Sequence, residues 1–426
     1  MAWWCAIPDT WSRGNGRQVV SLLAAVCLGP AAAQAQLPAF PGAEGFGAFA
    51  SGGRSGDVYH VTNLSGNPAT PGSLGYGLRW APATGRTIVF DVSGNIPLPH
   101  NSGLYQPNLT IAGQTAPGDG VDIIGGAFWI EKTNVIVRHI GFRNGVNADC
   151  LDLSSNAVDV VLDHIDTLFG TDENFSSFGS PPDRLTFQWS ANAWGLYPHS
   201  AGGLWDVNRV TTHHTLWAHH HMRDPKARPN GLLDWVNNVT FDYQIGYIMG
   251  SSTTPADWKS NVEGCYFICP AGNIRGHIMT GATLDRHGNP NFSVYMTNCL
   301  FDRDGDLVLD GVPATWAEVD GDYRQLSNAV ARTAGLPVTT DPPRQAYKKI
   351  VSQAGPLRLD ARHPGPLRDE VGEALLHSLV SLRHDALTNV AQTGASGGGY
   401  GTLRSRPNPL DTDRDGMPAY WETTLG

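Results

Sequence analysis

A six-residue pattern returns along this chain at nearly constant spacing, and it limits the possible folds more than any other feature. The pattern is a free position, an aliphatic, a free position, an apolar residue, a free position, then often histidine or an aromatic. It reads Asn108-Leu-Thr-Ile-Ala-Gly, then Asn134-Val-Ile-Val-Arg-His, Asp159-Val-Val-Leu-Asp-His, Arg184-Leu-Thr-Phe-Gln-Trp and Arg209-Val-Thr-Thr-His-His. Looser copies begin at Asn238, Asn261 and Ser293, so the steps are 26, 25, 25, 25, 29, 23 and 32 residues. Each copy alternates and is rich in β-branched residues, which is strand character. A single strand recurring at this period, with glycine and asparagine between copies, is the mark of a solenoid. The copies lack the apolar spacing of paired helices, and a propeller blade would need four strands in about 40–45 residues. The expected fold is an all-β, right-handed parallel β-helix. Leu109 and Ile111, Val135 and Val137, Val160 and Leu162, Leu185 and Phe187, and Val239 and Phe241 would share its interior.

Around this core the chain divides in order. Arg13 and Arg17, an apolar run over 19–33 and Ala33-Gln34-Ala35 read as a signal peptide over 1–35, so a secreted protein is expected. No later apolar run is long enough for a membrane span. The solenoid is assigned to 36–315 and a partly helical extension to 316–392, with helices over 345–353 and 370–383. Residues 393–409 are rich in Gly, Ser and Pro and read as a linker. At 410–426, Asp411, Asp413, Asp415 and Glu422 fit an EF-hand-like calcium loop, cut short, with Pro418 at its eighth place. Cys150, Cys265, Cys269 and Cys299 are expected as buried thiols before disulfides. The net charge of −10 argues against a nucleic-acid partner, and a monomer is expected.

Equal offsets in successive coils stack about 4.8 Å apart. The offset 14 or 15 residues beyond each copy's start gives Asp149, then Glu173 with Asp172 beside it, then His199, then Arg223. The acids at one end of this column could hold a hard cation through oxygen. The guanidinium at the other could meet a carboxylate. With Phe40-Pro-Gly-Ala-Glu-Gly-Phe-Gly, Thr87-Ile-Val-Phe-Asp-Val-Ser-Gly, Leu162-Asp163-His164, Thr171-Asp-Glu-Asn and Arg223-x-Pro-x-x-Arg228 in this order on the repeat, the chain resembles the bacterial pectate lyases of polysaccharide lyase family 1. The resemblance covers roughly residues 38–310. It implies cleavage of an acidic, pectate-like polysaccharide by β-elimination, with Ca2+ as cofactor. By position it implies Asp149, Glu173 and Asp172 as calcium ligands, Arg223 as the base, and Arg228 and His199 as substrate contacts.

The sequence departs from that pattern at three places. Ala201 stands where the family often has a lysine, and Asn147 and Ser177 fill the places of family calcium ligands. Asp163-His164 reads as a structural pair. His213, His214, His219, His220 and His221 track strand and turn positions rather than a zinc set, with no suitable cysteine or acidic residue beside them. Two other functions fit the same fold. A β-helix glycoside hydrolase would need paired carboxylates at a defined separation, and a non-catalytic carbohydrate-binding protein would be consistent with Ala201.

Overall fold

The computed structural model describes residues 36–425 apart from 100, 147, 178, 180, 252–255, 281–288 and 359–366. The expected signal peptide and Asn147 lie outside the described residues. The repeat forms one continuous ladder. Leu109 pairs with Val135, Val135 with Val160, Val160 with Leu185 and Leu185 with Val210, then on through Leu233 and Ser260 to Val294, every step parallel. Among the described residues this column belongs to a 14-stranded sheet, and a 10-stranded and a 4-stranded sheet close the coils. The chain is a parallel β-solenoid, as the repeat requires.

The conserved shape of each repeat comes from its two corners. The opening residue takes a left-handed turn in Asn108, Asn134, Asp159 and Arg184, at φ 60°, 60°, 57° and 51°. Asn and Asp tolerate that region because their short polar side chains bond locally. Arg184 does not share this advantage, and its guanidinium is held instead by both carboxylate oxygens of Asp159, at 2.5 and 2.6 Å. The closing residues turn the same way and stack. His139 lies on His164 with ring centroids 4.5 Å apart, and Trp189 on His214 at 4.2 Å. His164 Nδ1 lies 3.0 Å from Asp163 Oδ1, so this pair is part of the corner.

Two features differ from the sequence reading. The copy at Asn238 does not belong to the long ladder: Val239 pairs with Leu216 in the 10-stranded sheet, and the long sheet uses Lys226–Val236 at that coil. Val239 and Phe241 therefore face outward and pack with Tyr347, Ile350, Val371, Leu375 and Leu379. The interior positions of that strand pair are Trp217 and Thr240. A sheet apolar on both faces needs a cover, and the helices Pro343–Gln353 and Glu370–Val380 supply it. The second helix is tied down by Arg143, which is buried among Asp122, Asp166 and Asp369 at 2.8, 2.6 and 2.5 Å.

Residues 393–409, expected as a linker, run as a strap along the coils. Tyr400 O accepts from Arg143 and Gly401 O from Asn95, while Ser405 bridges to Gly118. The N-terminal glycine motif lies across the long sheet. A Cβ on Gly47 would fall 2.1 Å from Val160 O, so only glycine allows this approach. Cys150, Cys265, Cys269 and Cys299 are all buried and free.

Candidate active site

The 4-stranded sheet runs through Ser102–Gly103, Phe128–Ile130, Leu151–Leu153 and Phe175–Ser176. Phe128, Ile130, Leu151 and Leu153 point into the core. The alternate positions, Gly103, Trp129, Asp152 and Ser176, fall in register on the outer face. Extending the Leu151–Phe175 pairing back two places sets Asp149 opposite Glu173. Parallel bridges continue from Glu173 to Ala201 and from Ala201 to Met222. The true column is therefore Asp149, Glu173, Ala201, Met222. His199 lies two residues before it and Arg223 one after it, which corrects the simple offset count. Unequal turns between coils shift the register.

The side chains nevertheless converge. His199 Nε2 lies 3.1 Å from Asp172 Oδ1 and 3.9 Å from Glu173 Oε1. The Arg223 guanidinium reaches over the intervening coil, touches the Glu173 carboxylate and comes 3.4 Å from His199 Nε2. The stacking count placed Arg223 two coils, about 10 Å, from Glu173; the long side chain closes that gap. Asp149 Oδ1 accepts from the Glu173 backbone at 2.9 Å. Asp172, Glu173 and His199 present ligand atoms within 4.8 Å of one another.

Electrostatics sharpen this picture. Burial lifts the Asp149 carboxyl to about 6, with the Asp172 charge adding to it. Asp152 rises further, to about 9, through burial and then the charge of Asp149. Carboxylates crowded in this way hold protons unless a cation replaces them. Asp152 was not anticipated from the sequence. Burial also draws Arg223 below its ordinary value, against the pull of Asp172 and Asp149.

His220 props both halves of the site from behind. Its Nδ1 lies 2.5 Å from Asp224 Oδ1, and its Nε2 lies 2.9 Å from the Asn174 side-chain amide. Asn174 also donates to Ala193 O and accepts from Gly170 N. Its amide thus has a proton for His220 Nε2, and Nδ1–H donates to Asp224. Asn174 follows Glu173 and Asp224 follows Arg223, so one buried imidazole fixes the residues next to both.

The remaining expected residues lie differently. Arg228 pairs with Asp206, Nε lying 3.0 Å from Oδ1, and sits 5.6 Å from the Trp258 ring. Ser177 is buried and donates to Asp206 O at 2.9 Å, so it turns away from the acid cluster. Ala201 is 0% exposed. Asp411, Asp413 and Asp415 cluster within 4.8 Å on another part of the surface, against the first coils. There Asn408 donates to Asp91, and Arg414 O lies 3.3 Å from His60. Glu422, on the helix Ala419–Leu425, is within electrostatic reach of the three acids.

The other histidines divide among separate structural contacts. His214 pairs with Asp341 at 2.9 Å. His219 bonds Asp242 at 2.6 Å and Ser378 Oγ at 2.7 Å, which has the distances of a Ser-His-Asp relay. All three are buried and Ser378 Oγ donates to Leu375 O, so this relay fastens a helix to the solenoid.

Comparison with known proteins places this geometry among relatives. The chain is 33% identical over 398 residues to a probable pectate lyase C of Aspergillus fumigatus, an alignment covering 92% of this chain and 88% of that protein. It is 33% identical over 405 residues to a probable pectate lyase C of Aspergillus oryzae, with the same coverage. Pectate lyase 1 of Cryptomeria japonica is 28% identical over 192 residues, covering 42% of this chain and 46% of its own length. These relatives are fungal and plant proteins, not the bacterial ones the motifs resemble. Among solved structures, a thermostable pectate lyase superposes with a TM-score of 0.50 at 15% identity, over 74% of this chain and 97% of that one, which shows a shared fold. No family model matches the chain.

Proposed function

This chain belongs to the pectate lyase family and is a polysaccharide lyase, and from that premise we propose that it cleaves polygalacturonate or a related polyuronate by calcium-assisted β-elimination. The observation that carries this reading is the contact of Arg223 with Glu173 at the edge of the Asp149, Asp152 and Asp172 carboxylates. The donor set fits calcium: it is hard oxygen throughout, and the raised proton affinities of Asp149 and its neighbour Asp152 mark a place where positive charge is wanted. Asp149, Glu173 and Asp172 would hold the ion, with Asp152 behind Asp149. When bound, calcium neutralises a uronate carboxylate and so acidifies the adjoining C5 proton.

Arg223 takes that C5 proton. The C4–O bond then breaks, a double bond forms between C4 and C5, and the departing oxygen gains a proton from solvent. Burial of Arg223 supports the base role, since desolvation disfavours the charged guanidinium. Arg228 binds a substrate carboxylate, and His199 contacts the substrate beside Asp172.

Three further readings accompany this one. The loop of Asp411, Asp413, Asp415 and Glu422 binds a second calcium ion, separate from the cleft. The protein is secreted after removal of 1–35, and among the described residues no helix is long and apolar enough to cross a membrane. It acts as a monomer, with the solenoid over 36–315 and the extension over 316–392.

The test is incubation of the mature protein with polygalacturonate, with and without calcium. An ultraviolet-absorbing unsaturated product that depends on calcium is expected. New reducing ends without it would make the protein a hydrolase, and polymer binding without turnover would make it a lectin-like relative.

A further inference from the structure

Beside the acid cluster, one coil nearer the N-terminus, the cleft floor changes character. Trp129 is in register with Asp152 on one side and Gly103 on the other. It is the large outward residue of its strand, flanked by the inward Phe128 and Ile130, and it is half-buried. A cavity of about 420 Å³ opens over it, lined also by Asn101, Gly103, Tyr105, Glu131 and Lys132. Gly103 allows this close approach: a Cβ there would lie 2.5 Å from Trp129 O and 2.9 Å from Trp129 Cβ. Tyr105 is exposed, and the Arg79 guanidinium lies 4.8 Å from its ring centroid. The pocket adjoins the site, because Trp129 and Asp152 are register partners on neighbouring strands of one sheet face and Asp152 follows Asp149 by three residues.

We propose that the Trp129 pocket is a sugar-binding subsite that takes one further uronate residue of the polymer, adjoining the residues held at the acid cluster. The inference rests on the lyase reading for the identity of the polymer, and on the pocket itself for the subsite. A pyranose ring offers an apolar C–H face, which the open side of a half-buried indole can cover. Its carboxylate finds Lys132 and Arg79, and Glu131 accepts from its hydroxyls. One inter-strand step of about 4.8 Å separates Trp129 from Asp152, a distance suited to adjacent rings of one chain lying along the coils. The pocket therefore selects for chain length and for free carboxylates.

The test uses the full mature chain with calcium and a series of oligogalacturonates of increasing length. Binding is followed by calorimetry and by tryptophan fluorescence on the Arg223→Lys variant, so that turnover does not intrude. Affinity should rise by about tenfold at the length that first reaches Trp129, the factor equal to about 1.4 kcal/mol of aromatic contact. Trp129→Ala should abolish that step, and Trp129→Phe should keep part of it. Lys132→Ala, a surface change, should keep the step but lose the preference for free over methyl-esterified oligomers. A step that persists in Trp129→Ala would overturn the subsite, as would a uniform loss at every length. If the protein proves not to be a lyase, the length-dependent binding still stands or falls on these variants.

Discussion

Arg223→Lys separates a chemical role from a binding role. The native guanidinium contacts Glu173 and lies 3.4 Å from His199 Nε2, and it must span a whole coil to do so. Lysine keeps the charge but ends in a single ammonium, without the planar fork and with a different reach. A positioned base contributes about 10²–10⁴ in rate, so kcat should fall by that factor, or about 2.7–5.4 kcal/mol of barrier. KM should change little, because the calcium ligands and Arg228 remain. The assay is the initial rate of unsaturated product against polygalacturonate concentration at saturating calcium, with circular dichroism as the control for folding. Arg228→Lys provides the contrast: its guanidinium pairs with Asp206 at the cleft wall, so KM should rise more than kcat falls. Near-normal kcat in folded Arg223→Lys would refute the assignment and reduce Arg223 to a structural partner of Glu173.

Further outcomes follow from the same structure. In chelator, the thermal midpoint should fall as pH rises. The folded protein keeps protons on Asp149 up to about 6 and on Asp152 up to about 9, whereas the unfolded chain has released them above about 4. This stabilisation is complete below that pH and gone above the folded values. Calcium or Asp152→Asn should flatten the slope, and an unchanged slope in Asp152→Asn would count against the crowding. Arg143→Met should destabilise by about 3–5 kcal/mol, because it strips a buried cation from three acids. Hydrogen exchange over the helix Glu370–Val380 should rise with it. Deleting 405–426 should leave lyase activity largely intact and remove one calcium-binding event in calorimetry; loss of activity would mean the strap supports the cleft.

The repeat made the solenoid legible because every coil reuses the same left-handed corner and the same two inward positions. What it could not show is which face of a strand meets a helix. Val239 and Phe241 alternate like core residues, yet the core of their sheet lies on the other face, behind Thr240. The acids and Arg223 were visible as residue types in order, but counting offsets misplaced His199 and Arg223, because the turns that precede Ala201 and Met222 differ in length. Asp152 and Trp129 gave no signal at all. Their strands, Leu151–Leu153 and Phe128–Ile130, are three residues long, too short to show an alternation. Only the ladder reveals that both point outward into one cleft. His220 was set aside among five histidines, and its role between Asn174 and Asp224 depends on contacts 46 and 4 residues away in the chain.

The central claim is that this site cuts a polyuronate by elimination rather than by adding water. Cleavage of polygalacturonate in heavy-oxygen water, with calcium present and new ends trapped at once by reduction, tests it most directly. Elimination breaks the C4–O bond and leaves the glycosidic oxygen on the released fragment. The account predicts unsaturated ends and no solvent oxygen in the products. One heavy oxygen incorporated per cut, with saturated ends, would contradict it.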